Sequence, residues 1–282
     1  MAKLTVYKSN KVVEAGFKLS LNEQKIILAC VAKNDSRQPL SVDDKFTITA
    51  KEFAEITGIE INHAYLALQD VADSLFNRYV VIDNPDATNP KIKRRKTRWI
   101  SSIDYITDGG AISLRFACDM LPYLSELKSQ FTKYELKHVG GMTSAYGIRL
   151  YELLTQYRTM GRREIQLDWL KSHFEIADAY KSIADLRRYV IEPAIDNINK
   201  HSDLTVQSPI YEKTGRKVTS VTFDFKAKEK PTTTKKPKPA PQPQQVDNLE
   251  HFAQMRKRFG NSLPLDAIPS EIVEQLKTVG RW

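Results

Sequence analysis

The chain has 282 residues, 41% hydrophobic and 27% charged, and its 43 Lys and Arg against 34 Asp and Glu give a formal net charge of +9. That length holds one large or two ordinary domains plus a tail, and a basic surplus favours a polyanionic partner, nucleic acid ahead of membrane. No run approaches the roughly 18 apolar residues of a membrane span, and MAKLTVYKSN lacks a signal core, so a soluble cytoplasmic protein with no membrane partner is expected.

Cys30 and Cys118 each sit in an apolar run and are expected to be small core residues of a reduced protein. The first helix reads SLNEQKIILACVAKN. Ser20 and Glu23 make a capping box, and Leu21, Ile26, Leu28 and Val31 supply its buried side. Phe46 to Ile48 reads as a short strand. Thr49 and Glu52 form a second capping box, before AKEFAEIT, and Gly58 stands where a helix C-cap belongs. The spacing of Ala64, Leu68, Val71 and Leu75 predicts a helix near Asn62 to Asn77. Helix, tight turn and helix is the layout of a helix-turn-helix. Strands follow at Tyr79 to Ile82, at the alternation of Trp99, Ser101, Ile103 and Tyr105, and at Ile112, Leu114 and Phe116 across Asp108-Gly109-Gly110. They read as a hairpin wing. Between them lies DNPDATNPKIKRRKTR, read as a loop with six basic residues in the eight from Lys91 to Arg98.

The second half repeats the plan. Tyr146, Leu150, Leu153, Leu154 and Tyr157 share one helix face. Asp168 is the expected cap of WLKSHF, and Ser182 or Asp178 caps the next helix, whose core stripe is Ile183, Leu186, Val190, Ala194 and Ile198. Pro193 interrupts that stripe. It has no N–H and its ring meets the carbonyl of Tyr189, so a kink or two helices is expected, with Pro193 in the first turn of the second. Thr205 to Tyr211 and Lys217 to Phe225 are the expected strands of a second wing, with Val221, Phe223 and Phe225 facing the core. Lys226 to Gln245 then carries five Pro, six Lys and one Glu, the composition of a disordered linker. Asp247 and Glu250 make a capping box for a short helix with Leu249, Phe252, Met255 and Phe259 on its apolar side.

The fold class expected is α+β: two tandem winged-helix domains at 1–137 and 138–226, a Lys/Pro-rich linker at 227–246 and a short helical tail at 247–282. The sharpest functional signal is the helix from Ser182. Lys181, Asp185 and Arg188 share a face roughly opposite the core stripe, and Arg187 and Tyr189 flank it. A major groove admits a helix, Arg pairs with guanine O6 and N7, and an acid accepts from cytosine N4. Lys181, Ser182, Asp185, Arg187, Arg188 and Tyr189 are the candidate base readers. Lys213, Arg216 and Lys217 at the wing tip suit phosphate contacts, as do Lys91, Lys93, Arg94, Arg95, Lys96 and Arg98. Asn62 and His63 are the candidate contacts of the first domain, although Asp70 and Asp73 beside them repel phosphate. For each set the plainer reading is a solvated surface.

No G-x-x-x-x-G-K-[ST] loop, His-x-His pair or C-x-x-C pair occurs, so no nucleotide-hydrolysing, nicking or zinc chemistry is indicated. No enzyme activity, cofactor or metal is expected.

At this point the residues resemble a known family, the initiator Rep proteins of iteron-controlled, theta-replicating plasmids. The resemblance rests on FKLSLNEQKIILACV, FTITAKEFAEITGI, ISLRFACDMLPYLSELKSQFTKYEL, TSAYGIRLYELLTQYR, DLRRYVIEPAIDNINKHSDL and TGRKVTSVTFDF, in that order, and covers about Val12 to Phe225. It implies that the C-terminal domain reads the iteron through the helix matching Ser182 to Ile191, and that Asp185, Arg187 and Arg188 match the family's Asp-x-Arg-Arg. Ser182 stands where a member of the family carries Arg, which implies a different iteron. The resemblance further implies an N-terminal domain for dimerisation and backbone contacts, a monomer that initiates and a dimer that represses its own promoter. The expected partners are double-stranded DNA (origin iterons and the chain's own operator), the host initiator and helicase, and a second copy. The alternatives are a transcriptional repressor alone or an origin-nicking enzyme. The linker and tail lie outside the resemblance.

Overall fold

The computed structural model describes residues 4–34, 38–86, 88–127, 129–228 and 277–278. The expected linker beyond residue 228 and nearly all of the expected tail, with its Asp247 cap, lie outside the described residues. Met1–Lys228 forms one compact unit.

In chain order the elements are β1 (Thr5–Ser9), α1 (Asn10–Val13), α2 (Leu21–Lys33), β2 (Phe46–Thr49), α3 (Ala50–Thr57), α4 (Ile61–Phe76), β3 (Tyr79–Asp83), β4 (Arg94–Arg98), β5 (Ile100–Ile106) and β6 (Ala111–Phe116). After a 3₁₀ turn come β7 (Phe131–Glu135), α5 (Lys137–Gly140), α6 (Ala145–Thr155), β8 (Arg162–Gln166), α7 (Leu167–His173), α8 (Ile183–Leu186), a π turn at Arg187–Ile191, α9 (Glu192–His201), β9 (Leu204–Val206), β10 (Ile210–Thr214) and β11 (Lys217–Ala227).

Two sheets carry the same topology. In the first half the strand after the long helix pairs with the last wing strand, giving β2-β6-β5; in the second the order is β8-β11-β10. Each sheet is antiparallel, packs beside a pair of helices, and sends its hairpin outward as a wing. Both first-half capping boxes form as expected: Ser20 with Glu23, and Thr49 with Glu52. Gly58 closes α3 at φ 80°, a left-handed position that a Cβ disfavours.

Several expectations need correction. α2 is buried all round from Glu23 to Ala32, because β1, β2, α3 and α4 all pack against it. Lys91–Arg98 is not a loop throughout. Arg94–Arg98 is a strand paired with β3, with half-buried Arg95 and Thr97 alternating with exposed neighbours. The alternation from Trp99 to Tyr105 is broken by a register shift between Ile100 and Ser102. Trp99 and Ile100 are therefore both buried while Tyr105 is exposed. Cys30 is buried but Cys118 is exposed. It begins a 3₁₀ turn that spends its inward positions on Met120, Leu121 and Tyr123. Asp168 lies inside the first turn of α7, whose N-cap is Gln166. The expected strand Thr205–Tyr211 is two strands, β9 and β10, both paired with β11 and separated by Gln207-Ser208-Pro209, since Pro offers the ladder no N–H. Strands β1, β7 and β8 also formed where no strand was expected.

One polar cluster joins the two halves. Lys8 on β1 donates to both Glu152 oxygens on α6, at 2.8 and 2.9 Å, with 3% and 2% of the two side chains exposed. The Tyr134 hydroxyl on β7 donates to the same carboxylate at 2.6 Å. Burial lowers the Lys8 ammonium from its ordinary value and Glu152 opposes that shift; burial, then Glu152, raises the Tyr134 phenol well above its own. Removing one member of such a pair strands the other. Glu152→Ala is expected to cost about 3–5 kcal/mol in chemical denaturation, and Lys8→Met/Glu152→Leu to recover most of the loss. Additive losses in the double variant would show that the two residues do not act as a pair.

Candidate nucleic-acid interface

The reader segment is built on α8 and the π turn. Ser182 is the N-cap: its hydroxyl accepts from the Asp185 N–H at 3.0 Å and donates to the Asp185 carboxylate at 2.7 Å. Leu186, Val190 and Ile191 are buried beneath, with Ile183 packed against them at the margin. Pro193 sits in the first turn of α9. The chain meets it by widening one turn, so that the Glu192 N–H reaches the Arg187 carbonyl five residues back. This wider turn relieves the clash of the ring with the Tyr189 carbonyl. Ala194 and Ile198 then continue the core stripe.

Lys181, Ser182, Asp185, Arg187, Arg188 and Tyr189 are all exposed. They do not form one regular helical face. Lys181 precedes the helix, and the π turn re-aims Arg187 to Tyr189 relative to Asp185. Arg187 is held locally, 3.2 Å from Glu192 and with its guanidinium 4.9 Å from the centre of the Tyr211 ring on β10. Burial pushes the Tyr211 phenol up to about 12, so Arg187 faces a neutral ring at any ordinary pH. Arg188 has no acidic partner among the described residues and lies 5.5 Å from the Tyr189 ring. It is the least committed cation of the segment.

Arg187 on Tyr211 also ties the reader to the second wing. At the tip, Gly215 has φ 63°, the backbone a tight hairpin needs. Lys213, Arg216 and Lys217 around it are exposed, and Lys217 is 3.3 Å from the Asp168 carboxylate on α7. In the first half, Asn62 and His63 are exposed in the first turn of α4. Asp73 on that helix accepts from the Tyr105 hydroxyl of the first wing. The β3–β4 hairpin carries the basic run. Arg94 pairs with Asp83 at 2.9 Å, Arg95 with Asp119 at 3.4 Å, Lys96 lies 3.6 Å over the Tyr79 ring, and Arg98 donates to the Phe76 carbonyl. Lys91 and Lys93 have no side-chain partner among the described residues. The basic hairpin is therefore partly neutralised by the fold itself.

A cleft of about 410 Å³ between the halves was not anticipated. Lys18, Arg78, Arg149 and Tyr189 lie in its wall, with the N-caps of α2 and α6, Ser20 and Ser144. Its residues come from separate segments, so no local pattern marks them as a site. Among the described residues no cluster of three or more His, Cys, Asp or Glu is placed to hold a metal ion, and no helix is long and apolar enough to cross a membrane.

A family model described as Initiator Replication protein, WH1, matches residues 5–155, and one described as Initiator Rep protein, WH2, matches residues 166–225. A "Replication initiation protein" of Escherichia coli is 28% identical over 234 residues, covering 79% of this chain and 70% of its own length. A "PI protein" of Escherichia coli is 25% identical over 240 residues, covering 75% and 79%. The crystal structure of Pi initiator protein in complex with iteron DNA matches at a TM-score of 0.68 and 24% identity, over 82% of this chain and all of that one. At that identity the likeness concerns the fold, which is two tandem winged-helix domains.

Ser182 and Arg188 have different local duties, and stability separates them. Ser182→Ala is expected to cost about 0.5–2 kcal/mol through the lost cap, whereas Arg188→Ala stays within about 0.5 kcal/mol. Urea denaturation of both variants measures the contrast; equal losses would mean that Arg188 also supports the fold.

Proposed function

Because the chain belongs to the initiator Rep protein family, with both winged-helix models matched, it is a replication initiator, and we propose that it acts by reading repeated origin sites in double-stranded DNA. The observation that carries this reading is the segment Ser182–Tyr189. It is capped at its start and anchored below by buried Leu186 and Val190, and it presents Asp185, Arg187 and Arg188 outward beside a wing bearing Lys213, Arg216 and Lys217. A relative of the same fold has been solved with iteron DNA, which supports assigning this surface to the duplex.

Within the proposal, residues 138–226 read bases in the major groove and residues 1–137 supply dimerisation and backbone contacts, the latter from Lys91, Lys93, Arg94, Arg95, Lys96 and Arg98. The Asp185 carboxylate accepts from the Ser182 hydroxyl, which leaves its other lone pairs to accept from a base or orient an Arg. The bound initiator helps open the neighbouring duplex, recruits the host initiator and helicase, and as a dimer represses its own promoter. No bond-making step is assigned to it.

Transformation tests this directly. A plasmid whose origin repeats depend on the chain is expected to replicate only when the chain is supplied; a repressor alone gives no colonies. Incubation with Mg²⁺ and supercoiled origin DNA is expected to leave the DNA unnicked; a site-specific nick abolished by changing one Tyr would overturn the reading.

Two substitutions separate base from phosphate contacts. Arg188→Ala is expected to cost about 1–3 kcal/mol at the cognate repeat and to relax discrimination. Equal loss on cognate and scrambled duplexes would reduce Arg188 to a phosphate contact. Lys93→Ala is expected to lower the slope of log affinity against log salt by about 1 without altering sequence preference.

A further inference from the structure

The cleft between the two halves has a basic wall. Three cations, Lys18, Arg78 and Arg149, lie in its wall, and no carboxylate does. Arg149 is only 3% exposed, yet its Nε and Nη1 have no hydrogen-bond partner. Its Nη2 donates to the Ala15 and His173 carbonyls, at 2.7 and 3.1 Å, and its guanidinium lies 3.5 Å from the centre of the Phe17 ring. None of these contacts supplies a counter-charge. Burial accordingly lowers the guanidinium to about 10, with Glu152 and Glu175 opposing that shift. Arg78 is balanced by Glu23 at 2.8 Å behind the wall, and Lys18 is exposed with no partner among the described residues.

Two helix N-termini also open onto the cleft. Ser20 caps the 13-residue α2 and Ser144 caps the 11-residue α6. Each hydroxyl accepts from the third N–H of its helix, at 3.3 Å from Glu23 and 3.2 Å from Gly147. The first two N–H groups of each helix have no intrahelical acceptor, and both dipoles present their positive ends. Such ends favour phosphate, and a low-dielectric wall around a cation with no hydrogen-bonded counter-ion focuses the field into the cleft.

We propose that this cleft seats one backbone phosphate of the bound duplex, held by Lys18 and the leading N–H groups of α2 and α6, with Arg149 fixing the positive field behind them. The inference rests on the DNA-binding reading given above and adds a site to it. Tyr189 argues for a duplex rather than a free ion. It belongs to the exposed reader segment and also lines the cleft, so the strand engaged beside Arg188 passes the cleft mouth. The two domains would then grip a single strand at their junction.

The test uses the full chain, Lys18→Ala, and a duplex of one origin repeat in which single phosphates are replaced in turn by neutral methylphosphonate. Lys18 is exposed and unpaired, so its removal leaves the fold intact, which the buried Arg149 does not guarantee. One or two adjacent phosphates are expected to weaken wild-type binding when neutralised and to have no further effect in Lys18→Ala. Raising salt from about 50 to about 200 mM is expected to weaken the wild type about fourfold more than the variant, a slope difference of about 1. Independent, additive effects at every phosphate, or a silent Lys18→Ala, overturn the proposal. So does inorganic phosphate that raises the wild-type melting temperature without competing with DNA, since the cleft would then hold a small anion. A wild type that does not distinguish the repeat from a scrambled duplex removes the DNA-binding reading itself, an outcome separate from these.

Discussion

The geometry of the molecule depends on the buried pair of Lys8 and Glu152. Lys8 comes from the first strand of the chain and Glu152 from α6, and Tyr134 completes the carboxylate's hydrogen bonds. A pair this dry adds little net stability, because desolvating two charges offsets most of their attraction. What it does is penalise separation. Any arrangement that pulls β1 from α6 leaves one charge buried without its partner. Arg149, one turn before Glu152 on α6 and held by the Ala15 and His173 carbonyls, reinforces the same junction. The packing of β1, β7 and α6 is thereby held by polar contacts that tolerate few alternatives.

The proposed interface divides its labour in a similar way. Residues at the edges of the reader segment hold it in place: Ser182 caps it, and Arg187 braces it against Glu192 and the Tyr211 ring. Arg188, next to Arg187, is free of acids among the described residues, which is why the base contact is proposed for it. The Asp-x-Arg-Arg sequence therefore mixes side chains committed to local contacts with one that has no acidic partner among the described residues. The basic β3–β4 hairpin shows the same economy, since Asp83 and Asp119 take up Arg94 and Arg95 and leave Lys91 and Lys93 for a partner.

The two-winged plan was legible in the sequence because its signals are local. The capping boxes at Ser20 and Thr49, the left-handed Gly58 and the apolar repeats of α4 and α9 each act within a turn or two of helix. The failures arise where tertiary contacts overrule the local pattern. Short polar strands such as Thr5–Ser9 and Arg162–Gln166 carry no apolar alternation of their own and exist because a partner strand supplies the ladder. A basic run became β4 because Tyr79 and Asp83 on the neighbouring strand receive its side chains. Cys118 faces outward because a 3₁₀ turn needed its neighbours inside. The interdomain cleft was invisible for a simpler reason. Lys18, Arg78 and Arg149 are far apart in the chain, and none stands in a pattern that announces a site.

The π turn at Arg187–Ile191 holds one residue more than a regular helix would place between the reader segment and α9. One residue of α-helix corresponds to about 100° of rotation. The wider turn absorbs that rotation locally, so Ser182–Leu186 keeps its outward side chains while the core stripe of α9 stays where it is. A single-residue deletion in that turn would leave Asp185 facing about as before but return the proline ring to a carbonyl one regular turn back, whereas a regular helix that kept every residue would swing Asp185 about a quarter-turn around the axis. The width of this turn, as much as any one side chain, sets which residues the segment presents outward.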